Sequence, residues 1–129
     1  MASLILLDTH VVAWLYAGDT QRIPAPMRTE IDEADTIGVS PIVGLELQYL
    51  HEIERLSQSA DVALSALRRS AGLRVVDASL AEVARVATGL GWTRDPFDRL
   101  IAAHATVADA PLATADQVML ANLQLARWG

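Results

Sequence analysis

Short apolar runs and amphipathic stretches alternate along the whole chain. Residues 3–7 (SLILL) form an unbroken apolar run before an aspartate, the pattern of a strand buried on both faces. An apolar-rich segment over residues 10–17 predicts a helix stopped by Gly18-Asp19. Residues 21–26 read as a loop and 27–34 as a second helix. Residues 36–39 (TIGV) predict a strand. Ser40-Pro41 then supplies a capping serine and a proline at the first helical position, opening a helix that runs to about Arg55.

Residues 61–70 are again helical in pattern, 73–76 (LRVV) a strand, and 79–90 a helix ending at Gly91. Asp95-Pro96 opens the next helix. Residues 111–113 predict a strand, 115–121 a short helix, and 123–128 a last strand. Strands alternating with helices imply an α/β fold with parallel pairing and helices on both faces of the sheet. In such folds ligands bind beyond the carboxyl ends of the strands.

That rule directs attention to the acids. Asp8 follows the first strand directly, as a cap for the next helix or as a group in a site. On the helix after Pro41, Ile42, Tyr49, Leu50 and Ile53 surround Glu46, while Gly44, Gln48, His51 and Arg55 form the other side. Glu46 is thus expected within the apolar stripe, where a buried carboxylate needs an arginine, a shared proton or a metal. Asp95 fits an N-cap, and Asp98, at the third helical position, suits the helix dipole. Asp98 also flanks the apolar face formed by Phe97, Ile101 and Ala105. Thr114 and Gln117 have the spacing of a capping box, with Asp116 between them.

Composition narrows the chemistry. The chain has 129 residues, 52% of them hydrophobic, which suits one compact domain over residues 1–129. With no cysteine, thiolate metal sites are unavailable, and oxygen-only ligands favour Mg²⁺ or Mn²⁺ over zinc. His10, His51 and His104 share no metal-ligand spacing; His51 reads as a solvated helix residue and His104 as a packed one. The net charge of −6, with arginine as the only cationic side chain besides histidine, argues against charge-driven nucleic-acid binding. It suits acids that hold a cation, or a basic partner that covers them. No apolar stretch approaches the ~20 residues of a membrane span. With no signal-like leader, the chain reads as soluble and cytoplasmic.

Four segments, in order, carry a resemblance: LLDTHVVAWL (6–15), VSPIVGLELQYL (39–50), RDPFDRLIAAHA (94–105) and PLATAD (111–116). Together they resemble the PIN-domain family, and within it the VapC ribonuclease toxins of VapBC toxin–antitoxin systems. The resemblance implies a PIN-like α/β/α sandwich with a central, mainly parallel sheet. It puts the metal-binding acids at Asp8, Glu46, Asp98 and Asp116, and Thr114 at the small hydroxyl residue near the last acid. Asp95 matches a recurrent acid of the R-D-P-F-D subgroup. A departure falls at residues 91–93 (GWT), where related sequences often carry histidines.

The resemblance further implies a cytoplasmic endoribonuclease, a homodimer, silenced by a cognate antitoxin through which operator DNA is bound. The expected chemistry is metal-assisted phosphodiester hydrolysis, with one or two Mg²⁺ ions held by the four acids. Arg94 and Arg99 bracket the acidic turn and are candidates for contact with the RNA phosphate, as is Thr114. Arg68-Arg69 reads as a solvated face or a contact for RNA or antitoxin.

Two other classes compete. One is a catalytically silent PIN-like module that only binds protein or RNA; the four intact acids weigh against it. The other is a phosphatase-like or receiver-like domain using Asp8 as nucleophile. The first form needs a second aspartate where His10 stands, and the second needs a lysine, which this chain lacks.

Overall fold

In the computed structural model, which describes residues 3–129, the first apolar run becomes β1 (Leu4–Leu7). Ile5, Leu6 and Leu7 are each buried. Successive strand side chains point to opposite faces, so other layers cover both sides of β1. Met1 and Ala2, part of the expected 1–129 span, lie outside the described residues.

β2 (Thr36–Val39), β3 (Arg74–Val75), β4 (Leu112–Ala113) and β5 (Ala126–Arg127) complete a five-stranded sheet in the order β3-β2-β1-β4-β5. All four pairings are parallel. The sequence pattern anticipated each strand, though the last three are shorter than the apolar runs that contain them.

Among the described residues, seven α-helices accompany the sheet: α1 (Thr9–Ala17), α2 (Ala25–Glu33), α3 (Pro41–Glu52), α4 (Ala60–Ala71), α5 (Leu80–Thr88), α6 (Pro96–Ala108) and α7 (Gln117–Asn122). Their starts follow local chemistry. Ser40 accepts from the Ile42 amide at 3.1 Å with Pro41 at the first position of α3, and Ser59 and Ser79 cap α4 and α5. Gly18 and Gly72 end α1 and α4 at φ 74° and 73°, a backbone region that costs glycine little. The expected loop over residues 21–26 holds part of a 3₁₀ turn (Thr20–Arg22), and α2 begins inside it.

α3 corrects one expectation. Its buried residues are Val43 and Leu47, whereas Leu45, Tyr49 and Ile53 are exposed. Gly44 and Gln48, expected on the solvent side, meet α4: a Cβ on Gly44 would sit 3.4 Å from Leu64, and Gln48 accepts from the Ala60 amide at 3.2 Å. A helix with apolar residues on most of its circumference can bury any of several stripes. Packing against α4, α6 and α1 selected this one.

The order of the strands positions the site. β1 lies between β2 and β4, so the connections run to either side of it, and its last residues register with β4 as Leu6↔Leu112 and Leu7↔Ala113. The crevice beyond such a reversal is where open parallel sheets bind ligands.

Candidate active site

Asp8 and Thr114 leave the sheet side by side. The Asp8 amide donates to the Ala113 carbonyl at 2.9 Å, and the Thr114 hydroxyl donates to Asp8 Oδ2 at 2.6 Å. Asp8 Oδ1 accepts from the Thr9 amide at 2.8 Å as α1 begins. Asp8 is 6% exposed, and Thr9 and Thr114 are fully buried. Helix cap and site residue are therefore the same aspartate.

The Thr114-Gln117 capping box is not formed. Asp116 is the N-cap of α7, accepting from Val118 and Met119 amides at 2.8 and 3.0 Å through one oxygen. Thr114 accepts instead from the Asp116 amide at 3.1 Å. Its hydroxyl proton goes to Asp8, an acid far away in sequence, which no local spacing could reveal.

α6 opens on the same crevice. Asp95 caps it, its Oδ1 accepting from Phe97 and Asp98 amides at 2.8 and 3.1 Å. Asp98 follows in the first turn, half-buried. Glu46 arrives from the second turn of α3, also half-buried, and its Oε1 accepts from the Thr9 hydroxyl at 2.6 Å. Thr9 was not singled out from the sequence. Its only local signal is its place directly after Asp8.

Asp8, Glu46, Asp95, Asp98 and Asp116 line one cleft of about 360 Å³, together with His10 and Trp14 of α1. A larger groove of about 460 Å³ runs between α4 and β3, lined by Asp61, Arg68 and Arg74 among others, and gathers no comparable set of acids. Four expected site acids and Asp95 thus meet in one place. Arg94 and Arg99 do not line the cleft. The Arg99 guanidinium is turned to the Thr93 carbonyl at 2.8 Å and the Ala87 carbonyl at 3.5 Å, tying α6 back to α5. Arg94 is exposed, with one long contact to the Gly91 carbonyl at 3.4 Å.

The cleft is electrostatically strained in one direction. Burial pushes the Asp98 carboxyl up to about 7, and the charges of Asp95, Asp8, Asp116 and Glu46 all push it the same way. Asp8 is raised chiefly by burial, against the stabilising bonds from Thr114 and Thr9. Glu46 is raised by burial and by Asp8 and Asp95, and lowered by Thr9 and His10. Such a group of acids resists being charged together unless a cation joins it.

The donors are all carboxylate oxygens, which suits a hard divalent cation. Among the described residues no three acids or histidines stand close enough to form a ready-made cage. His104 is buried elsewhere in α6 and takes no part; His51 is half-buried, its Nδ1 3.0 Å from the Leu56 carbonyl, not a freely solvated side chain.

Comparison with known proteins adds a lineage to this geometry. The PIN domain family model matches residues 5–123. Ribonuclease VapC22 of Mycobacterium tuberculosis is 36% identical over 115 residues, covering 88% of this chain and 87% of that protein. Among solved structures, VapBC2 from Rickettsia felis bound to a promoter DNA fragment matches with a TM-score of 0.68 at 21% identity, over 98% of this chain and 99% of that one. VapBC-1 from nontypeable Haemophilus influenzae matches with a TM-score of 0.67 at 18% identity, over 98% and 96%. At those identities the likeness is one of fold.

Proposed function

This chain belongs to the PIN-domain family, and from that premise we propose that it is a divalent-metal-dependent endoribonuclease, the toxin of a toxin–antitoxin pair. The observation that carries the reading is the convergence of Asp8, Glu46, Asp98 and Asp116, with Asp95, on one cleft at the reversal point of the sheet. The chain's similarity to a named ribonuclease over most of both lengths supplies the class of reaction.

Asp8, Glu46, Asp98 and Asp116 would hold one or two Mg²⁺ or Mn²⁺ ions, with Asp95 at the rim. When bound, such an ion supplies Lewis acidity toward a phosphate oxygen and acidifies a water. The chain's own groups prepare the place. Thr114 and Thr9 each donate to one oxygen of a carboxylate, fixing Asp8 and Glu46 while leaving lone pairs directed elsewhere. Asp95 and Asp116 spend one oxygen each on helix amides and keep the other. Asp98, its carboxyl raised to about 7 by burial and its acidic neighbours, is ready to carry a proton near neutral pH until a cation takes that proton's place.

Arg94 is exposed at the start of this turn and is available to RNA phosphate; the Arg99 guanidinium serves as a tether. Thr114 acts on Asp8, not on phosphate. A basic segment of a cognate antitoxin would complement the acidic cleft of a chain with net charge −6 and exclude RNA from it. The VapBC complexes that share the fold support such a partner, one of them seen with promoter DNA. We place the protein in the cytoplasm as a single domain and a homodimer; no helix of the described residues is long and apolar enough to cross a membrane.

The test is cleavage of a mixed RNA pool by purified, antitoxin-free protein with Mg²⁺, Mn²⁺ or EDTA, beside Asp8→Asn. Metal-dependent cutting that is lost in the variant is the expected result. Absence of cutting by folded wild-type protein with either metal across the pool would overturn the catalytic reading in favour of a binding module.

A further inference from the structure

The acidic cleft has one wall that is not acidic. His10 and Trp14 lie four residues apart on α1, hence on one helix face, and both line the cleft beside Asp8 and Glu46. The buried residues of α1 are Thr9, Val11 and Val12. His10 is exposed and Trp14 half-buried, with ring centroids 6.2 Å apart and planes inclined at 48°.

Trp14 is held by two neighbours. The Trp128 ring lies 5.8 Å away, and the Arg22 guanidinium sits 5.7 Å from the Trp14 ring while paired to Asp19 at 2.7 Å. A ring fixed in this way loses little freedom on receiving another aromatic surface.

The cleft also lacks the usual grip on nucleic acid. No arginine lines it, and lysine is absent from the chain, so cationic side chains of the cleft itself supply no grip on the neighbouring phosphates of the RNA. Stacking is the alternative, because every unpaired base presents an aromatic face, whereas a base inside a duplex has both faces covered by its neighbours.

We propose that His10 and Trp14 form a stacking subsite for one unpaired nucleobase of the RNA, next to the phosphate held at the acidic cleft. The inference rests on the ribonuclease reading above and adds the side chains that receive one base of the substrate.

The experiment measures binding of a short unstructured oligoadenylate, by fluorescence anisotropy with Mg²⁺, to protein made inactive by Asp8→Asn. In that background His10→Ala, His10→Phe and Trp14→Leu are compared, and each nucleotide in turn is replaced by an abasic residue. Wild-type cleavage of the same RNA is measured in parallel.

Loss of the imidazole in His10→Ala weakens binding on the order of tenfold, the usual worth of a stacked base. His10→Phe keeps an aromatic ring without the ring nitrogens and retains the affinity. One abasic position reproduces the His10→Ala loss, and combining the two adds little, as expected of two partners in a single contact. Trp14→Leu shows the same non-additivity; should it unfold by circular dichroism, the His10 pair and the abasic scan decide.

If His10→Phe binds as weakly as His10→Ala, the residue acts through its ring nitrogens and the stacking subsite is overturned. Losses that are additive at every abasic position overturn it too. Either result alongside wild-type cleavage leaves the ribonuclease reading standing. Failure of wild-type protein to bind or cut RNA removes both.

Discussion

The hydroxyl of Thr9 donates to Glu46 Oε1 at 2.6 Å while the amide of the same residue donates to Asp8 Oδ1 at 2.8 Å. One fully buried residue therefore joins an acid at the end of β1 to an acid on α3 that lies thirty-seven positions after Thr9 itself. The amide bond survives most substitutions, but the hydroxyl bond does not.

Thr9→Val keeps the shape and removes the donor. A hydrogen bond to a charged group contributes about 1.5–3 kcal/mol. Loss of a residue that orients a metal ligand weakens the metal by about 10- to 100-fold. The expected outcome is weaker Mn²⁺ binding by calorimetry for Thr9→Val, largely restored in Thr9→Ser. Equal metal affinity in wild type and Thr9→Val would show that Glu46 needs no such orientation.

Asp95 performs two roles that can be separated. As the N-cap of α6 it accepts two amides, and as a charge it is, after burial, the first contributor to the raised pKa of Asp98. Asparagine caps about as well as aspartate, whereas alanine costs roughly 1 kcal/mol. Asp95→Asn should thus leave stability to urea nearly unchanged and lower the Asp98 pKa by NMR titration, while Asp95→Ala should do both harms at once. An Asp98 pKa unmoved by Asp95→Asn would mean that burial and the other acids of the cleft set it without Asp95.

The alternation of runs such as SLILL with capped helices made the fold legible, since burial on both faces and proline-led helix starts are local signals. Asp8, Asp98 and Asp116 were legible for a related reason: each follows a strand or opens a helix, and a parallel sheet brings such positions to one edge. What stayed hidden was contact across the chain. Glu46 was flagged by an apolar stripe of Ile42, Tyr49, Leu50 and Ile53, of which the structure leaves Tyr49 and Ile53 exposed, so a residue that does line the cleft was reached through a packing expectation that did not hold. Thr114 looked like a cap because its bond to Asp8 spans 106 positions. Thr9 gave no sign beyond its place after Asp8, because its partner's position depends on how α3 is rotated.

His104 carries a pH prediction away from the cleft. It is 2% exposed, its Nε2 has no hydrogen-bond partner, and burial lowers its pKa from 6.5 against a small opposing pull from Asp77. The folded state therefore binds this proton less readily than the unfolded chain does. Its contribution is present above 6.5 and lost as pH falls through the lowered folded value. His104→Leu removes the group, so denaturation midpoints below pH 6.5 should fall less steeply in the variant than in wild type. Parallel slopes in that range would show that the imidazole is charged in the folded protein.

Asp98 has the opposite sign. Its carboxyl is raised from 3.8 to about 7, first by burial and then by its acidic neighbours. Between these values the unfolded chain releases the proton while the folded chain retains it, so metal-free protein loses stability as pH rises through that window. Asp98→Asn takes away the ionisation, and with EDTA present its melting temperature should fall less than that of wild type from pH 3.8 to about 7. A divalent cation binds the native state and the ionised acids together, so it raises the wild-type melting temperature most at the upper end of the window. In Asp98→Asn that metal-dependent rise should shrink. Identical pH slopes for the two proteins in EDTA would place the Asp98 carboxyl in contact with water, and an undiminished response to Mn²⁺ in the variant would remove it from the metal site.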